Sequence, residues 1–126
     1  MSKKFELYTL VNVGNENSDS ILTPLELHKF IDFEVKRVYF ITKPKRGTSQ
    51  HCHLEEKELF VMVQGTGIAK IDKGQGIEDI PMTGGKTAMY IPNYVWHGFT
   101  DLSPDAIILA LSSTNYKADR SDYIEN

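Results

Sequence analysis

The sequence predicts an all-β protein, and two observations carry that prediction. Apolar residues recur with a period of two in short runs, the pattern of half-buried strands. Turn signals rich in glycine, proline and aspartate separate those runs about every eight to twelve residues, which is the spacing of sandwiches and barrels. Only Pro24–Ile31 and the extreme carboxyl terminus have any helical flavour.

Taken in order, Phe5–Val11 is a first strand candidate. In PLELHKFI at 24–31, Thr23 stands as a cap with Pro24 at the first helical position, although the same residues suit an extended segment. Phe33–Thr42, FEVKRVYFIT, alternates: Phe33, Val35, Arg37, Tyr39 and Ile41 share one face, and Glu34, Lys36, Val38 and Phe40 share the other. Glu58–Gln64, ELFVMVQ, is a compact apolar run ended by Gly65. Ile68–Asp72, Ile77–Ile80, Ala88–Ile91, Val95–Thr100 and Ala106–Ser112 complete the set. Between them lie Lys43-Pro44, Gly65-Thr66-Gly67, Lys73-Gly74-Gln75-Gly76, Gly84-Gly85 and Ser103-Pro104-Asp105, each a turn signal.

At 126 residues the chain is expected to form a single domain, 1–126, with a core of its own. Hydrophobic residues at 40% and charged residues at 25% exclude a disordered or fibrous chain. No apolar run approaches the roughly 20 residues of a membrane span. MSKKFELYTL lacks the apolar segment of a secretory signal, so a cytoplasmic location is expected. The formal charge is −3, and Lys43, Lys45 and Arg46 make only a local cluster, which argues against nucleic-acid binding. Two or three well-placed cations still suffice for one small anion. Cys52 is the only cysteine, which excludes an internal disulfide. It reads as a small buried side chain between two histidines rather than as a nucleophile.

The histidines carry the chemistry. His51 and His53, two apart, point to the same side of an extended strand. Glu58 follows five positions after His53, and His97 follows five after Pro92. Three imidazoles and a carboxylate suit a divalent ion such as Zn, Fe, Mn or Ni. The same groups without metal form acid–base pairs that work near neutral pH. His28 has no supporting neighbours and reads as a packed or solvated residue. Tyr94 and Trp96 read as barrel-wall residues, with stacking of a nucleotide base on such a ring as the other option.

These spacings resemble the two motifs of the cupin family, a small β-barrel or jelly roll. His51-x-His53, Glu58 and Gly65 match the first; Pro92 and His97 match the second, Pro-x-Gly-x-x-His, with Tyr94 at its glycine position and Asp101 where Asn is frequent. Gly47 corresponds to the glycine before the first histidine, at a shorter spacing than usual. A narrower resemblance covers Phe33 to Ile124. VKRVYFI at 35–41, the His-x-His, YIPNYVWHGFTDLSPDAIILALSS at 90–113, Tyr116 and Asp122-Tyr123-Ile124 are similar to the WxcM-like sugar 3,4-ketoisomerases that act on dTDP-4-keto-6-deoxyglucose in bacterial surface-sugar (O-antigen) biosynthesis. Two departures stand out. Thr48 holds the place of an Arg three residues ahead of His51, with Arg46-Gly47 lying earlier. Glu58 replaces the family's usual Gln.

The resemblance implies a shift of the carbonyl from C4 to C3 through an enediol, with no redox cofactor. It implies His51 and His53 as the acid–base pair and Tyr39 as the hydrogen-bond donor to the developing oxyanion. Arg37 is implied for the pyrophosphate, with a salt-bridged strand residue as the equal alternative. Arg46, His97 and Trp96 are the further substrate contacts. No metal is favoured, although His51, His53, Glu58 and His97 form a complete ligand set for one divalent ion. A homodimer is implied, with Phe5–Val11 adding to a partner's sheet edge. The competing readings are a metal-dependent cupin, a nucleotide-sugar epimerase and a non-catalytic sugar-binding cupin.

Overall fold

In the computed structural model the strands form two five-stranded antiparallel sheets that pack face to face. The structure describes residues 3–42, 45, 47, 48, 50–116 and 122–125. In chain order these contain β1 (Glu6–Thr9), β2 (Arg37–Ile41), β3 (His51–His53), β4 (Glu58–Gln64), β5 (Thr66–Asp72), β6 (Ile77–Thr83), β7 (Thr87–Ile91), β8 (Trp96–Thr100), β9 (Ile107–Ser112) and β10 (Tyr123–Glu125). The first sheet runs β1-β7-β4-β9-β2 and the second β10-β3-β8-β5-β6. This is the architecture of a cupin.

Alternation along the strands builds the core. Phe60 and Met62 of β4, Met89 and Ile91 of β7, and Ile108 and Ala110 of β9 face Ala69 and Ile71 of β5 and Phe99 of β8. Leu59, Val61, Ala88, Tyr90 and Leu111 point the other way, where Leu25, Phe30, Ile31, Phe33 and Val35 cover them. β4 is therefore buried on both faces, which explains why ELFVMVQ reads as a continuous apolar run rather than an alternating one. In β2 the alternation is clean: Arg37, Tyr39 and Ile41 turn inward, and Val38 and Phe40 are exposed.

Three expectations are corrected. Pro24–Ile31 yields only a single 3-10 turn, Leu27–Lys29, and Thr23 spends its hydroxyl on Asn12 Oδ1 (2.6 Å) instead of capping a helix. Near the carboxyl end, Tyr123–Glu125 form a strand, because β10 finds the free edge of β3 and pairing overrides local propensity. β6 continues through Pro81 to Thr83, since β6 is a sheet edge and a missing N–H on its outer side breaks no ladder bond. β1 lies along β7 of its own chain, with Glu6 opposite Tyr90 and Thr9 opposite Thr87.

Candidate active site

Register places the polar residues in facing rows. On the first sheet Glu58, Ser112 and Arg37 lie side by side across β4, β9 and β2, with Tyr39 two residues along. On the second, His51 is directly opposite His97. His53 follows on the same face as His51, and its backbone neighbour is Tyr123 of β10. The inward side chains of the two rows meet at one end of the sandwich, where the apolar core stops at Phe60, whose ring centroid is 5.6 Å from that of His97.

Two local features set β3 in place. A Cβ on Gly47 would lie 2.3 Å from the Phe99 carbonyl oxygen, so only glycine lets the chain approach β8 that closely. Thr48 then accepts from the Phe99 N–H on its hydroxyl (3.1 Å) and donates its own N–H to the Phe99 carbonyl (2.9 Å). Tyr94 occupies the left-handed region (φ +69°), which is why the related motif has glycine there. Its N–H donates to the His53 carbonyl at 2.8 Å, tying the β7–β8 turn to β3.

The three rings are in contact: centroids of His51 lie 4.6 Å from His53 and 4.9 Å from His97. His51 Nε2 is 3.0 Å from His53 Nε2. Glu58, 1% exposed, has Oε1 at 3.2 Å from His53 Nε2 and 3.6 Å from His97 Nε2, while its other oxygen accepts a short hydrogen bond from the Tyr39 hydroxyl. His97 Nδ1 lies 3.0 Å from the Val95 carbonyl, so that nitrogen carries the hydrogen and Nε2 faces the cluster. His53 and His97 are buried; His51 is partly exposed and is the ring a solute meets first.

Behind His53 stand two carboxylates that sequence reasoning missed. Nδ1 is 3.1 Å from Asp122 Oδ2 and 3.3 Å from Glu56 Oε1. Glu56 in turn receives the Arg37 guanidinium (2.6 Å) and the Ser112 hydroxyl. The only signal for Asp122 in the sequence was its place in the Asp-Tyr-Ile resemblance; Glu56, in the turn before β4, gave none. Three buried carboxylates face one guanidinium, and the titrations follow. Burial pushes His53 down, but the hydrogen bond and charge of Glu58, then Glu56 and Asp122, outweigh it and hold the imidazole above its ordinary value. Burial pushes Glu58 up, but His53 and His97 overcome this and hold it well below the carboxylate range. Glu56 is raised by burial and then by the like charge of Glu58. Burial and then the charge of Glu58 drive Tyr39 far above the usual phenol range, so it stays a hydrogen-bond donor.

The structure thus brings together His51, His53, Tyr39, Glu58 and His97. Arg37 borders the group but is paired with Glu56, and its guanidinium lies 5.1 Å from the Tyr39 ring centroid and 5.8 Å from that of Tyr116. Trp96 adjoins inward-facing His97 in β8, and strand alternation turns it to the opposite face of the sheet from the histidines. Cys52 likewise faces away from the histidines. It is half-buried, and burial followed by the charge of Asp122 raises its thiol, which suits no nucleophile. His28 is exposed in the 3-10 turn, and Arg46 lies outside the described residues.

The donor set fits a divalent ion. One ligand atom from each of His51, His53 and His97 lies within 4.8 Å of the others, and Glu58 adds an oxygen beside two of them. An ion held by these four residues would polarise a carbonyl oxygen as a Lewis acid.

A barrel-forming β-sandwich with imidazoles and a carboxylate gathered at one end defines the cupin class. Within it, the chain belongs to the family whose model, described as FdtA: WxcM-like, C-terminal, matches residues 3–126. It is 32% identical over 110 residues to a TDP-4-oxo-6-deoxy-alpha-D-glucose-3,4-oxoisomerase of Aneurinibacillus thermoaerophilus, covering 86% of this chain and 78% of that one. Among solved structures it is similar to the WlaRB TDP-quinovose 3,4-ketoisomerase of Campylobacter jejuni (27% identity, TM-score 0.83, 98% and 94% of the two chains). It is also similar to a double mutant of the QdtA 3,4-ketoisomerase of Thermoanaerobacterium thermosaccharolyticum, in complex with TDP (26%, TM-score 0.84, 100% and 90%).

Proposed function

We propose that this chain is a sugar-nucleotide 3,4-ketoisomerase that moves the keto group of a dTDP-4-keto-6-deoxyhexose, dTDP-4-keto-6-deoxyglucose in the first instance, from C4 to C3. The observation that carries the reading is the 3.0 Å contact between a partly exposed imidazole, His51, and a buried one, His53, whose neighbouring carboxylates favour its protonated form. Such a split supplies a base and an acid at one pH. His51 takes the proton from C3 as the C4 oxygen gains one, giving the enediol; the C3 hydroxyl then gives up its proton as the pair delivers one to C4, and the C3 oxygen becomes the carbonyl. Hydrogen moves only as protons, so the reaction consumes no oxidant or reductant. Tyr39, kept as a phenol, donates to the enediolate oxygen, and His97 orients the sugar. Arg37 and Arg46 are the candidates for the pyrophosphate; Arg37 would reach it with the part of its guanidinium not spent on Glu56.

The histidines act directly in this account. Turnover is expected to survive chelation and exhaustive dialysis, with elemental analysis checking that no stoichiometric metal remains; loss of turnover restored by one added ion would favour the metal-dependent reading. The enzyme is proposed to work in the cytoplasm, where nucleotide sugars for surface polysaccharides such as O-antigen are made. Among the described residues no helix is long and apolar enough to cross a membrane. It is proposed to be a single domain that works as a homodimer. Support for the dimer comes from the apolar side chains left on the outer face of edge strand β2, Phe40 (67% exposed) and Val38, and from an arm closed by the Val13–Leu22 bridge that exposes Val11, Val13, Ile21 and Leu22. The proposed activity is tested by incubation with dTDP-4-keto-6-deoxyglucose and proton NMR of the product. A ketone at C3 supports the isomerase, and an epimer with its ketone still at C4 overturns it.

A further inference from the structure

We infer that Asp122, together with Glu56, is a positioning residue that fixes the orientation and hydrogen placement of His53, so that the carboxyl-terminal strand is a working part of the active site; this rests on the isomerase reading above. Three observations converge on it. Nδ1 of His53 faces two carboxylates, at 3.1 Å (Asp122) and 3.3 Å (Glu56); both Asp122 oxygens already accept backbone N–H groups and offer only acceptors, so Nδ1 on that side carries the hydrogen. Nε2 is thereby committed to the side where His51 Nε2 (3.0 Å) and Glu58 Oε1 (3.2 Å) stand. The hydrogen placement at one nitrogen sets the role of the other.

Asp122 is itself held rigidly. Its Oδ1 accepts from the Glu55 N–H, its Oδ2 accepts from the Glu56 N–H at 3.2 Å, and its carbonyl accepts from the Leu54 N–H at 2.9 Å. β10 then runs along β3, with Tyr123 opposite His53 and Glu125 opposite His51. The carboxylate of Asp122 accepts a backbone N–H on each oxygen, and the imidazole Nδ1 lies 3.1 Å from Oδ2. An amide in its place must turn an NH₂ toward one of those donors, so Asn cannot satisfy the set that Asp satisfies. Glu56 is braced from the other side by Arg37 and Ser112, which links the two sheets through His53.

The test pairs a spectroscopic readout with kinetics. Long-range ¹H–¹⁵N correlation spectra of the full chain report which nitrogen of His53 carries hydrogen, and His53→Gln assigns the signals. In the wild type Nδ1 is expected to be protonated. Asp122→Asn is expected to lower kcat at least about tenfold while the dissociation constant for TDP stays within about threefold, and Asp122→Glu is expected to recover part of kcat. A residue that only clamps the turn would instead lower thermal stability and leave kcat of the folded protein unchanged, and that result overturns the inference. So does a wild-type His53 with no hydrogen on Nδ1, a measurement that stands even if a variant fails to fold. A protein with the expected Nδ1 hydrogen but no conversion of the sugar nucleotide would leave the placement of His53 standing and overturn the proposed activity.

Discussion

Glu58 sits between two imidazoles and a phenol with almost no access to solvent, and each neighbour answers its charge. Two pH arms follow. Because His53 and His97 hold the Glu58 carboxyl below its ordinary 4.5, the stability it contributes is complete above that pH and is lost as pH falls through the depressed value. His53 is held above its ordinary 6.5, so its contribution is complete below that pH and is lost as pH rises through the raised value. Glu56, also raised, adds to the second arm: its contribution fades as pH climbs past 4.5. Urea unfolding over a pH series is expected to show Glu58→Gln losing less stability on acidification than the wild type does; parallel curves would contradict the assignment. For the chemistry, His51→Asn and His53→Asn are each expected to cut turnover at least about a hundredfold, the usual contribution of a positioned acid or base. Steady-state kinetics with the 4-keto sugar nucleotide checks this. At this scale the sequence was legible where spacing is short: the i, i+2 relation of His51 and His53 needs only a strand. Asp122 was not legible as a partner of His53, since only the β3–β10 pairing brings it home, and Glu56, three positions from His53, sits in a turn whose geometry no motif marked.

The strands explain why some sequence signals are chemical and others purely steric. Gly47 serves a close approach: its missing side chain lets residues 47 and 48 lie against β8 and align β3 beside His97. Gly47→Ala is expected to destabilise the fold by about 1–3 kcal/mol and to lower activity with it, since the Cβ meets backbone rather than a movable side chain. Tyr94 is the opposite case, a bulky residue in a left-handed position that glycine adopts freely. Tyr94→Gly is expected to raise stability by about 0.5–1 kcal/mol, measured by thermal or chemical unfolding; a loss of stability would show that the ring packs usefully. The period-two runs located nearly every strand of both sheets, because burial on one face writes itself into the sequence. Pro81 and the terminal β10 escaped that reading for a common reason. Each is settled by position in the sheet, an outer edge for β6 and an open partner for β10, which local pattern does not encode.

Across the whole molecule, two sheets close over an apolar core at one end and a polar cluster at the other, and the outer face of the first sheet keeps uncovered apolar residues near β2. The dimer proposed for that face predicts that Phe40→Glu shifts the protein toward monomer in light scattering, while Gln75→Glu, in the exposed turn between β5 and β6, leaves the mass unchanged; a monomeric wild type would contradict it. The fold class and the paired motifs were readable because cupin spacing is local to two hairpins. Which inward side chains touch across the sandwich was not, and the pairing of Arg37 with Glu56 is the clearest instance. The central claim is that this imidazole cluster enolises a bound 4-keto sugar. It is tested most directly by incubating the protein with dTDP-4-keto-6-deoxyglucose in D₂O and following the sugar by NMR. The account predicts a product with its ketone at C3 and a C4 that has gained deuterium from the exchanged imidazoles, absent from His51→Asn. A substrate that keeps its ketone at C4 and forms no such product would contradict it.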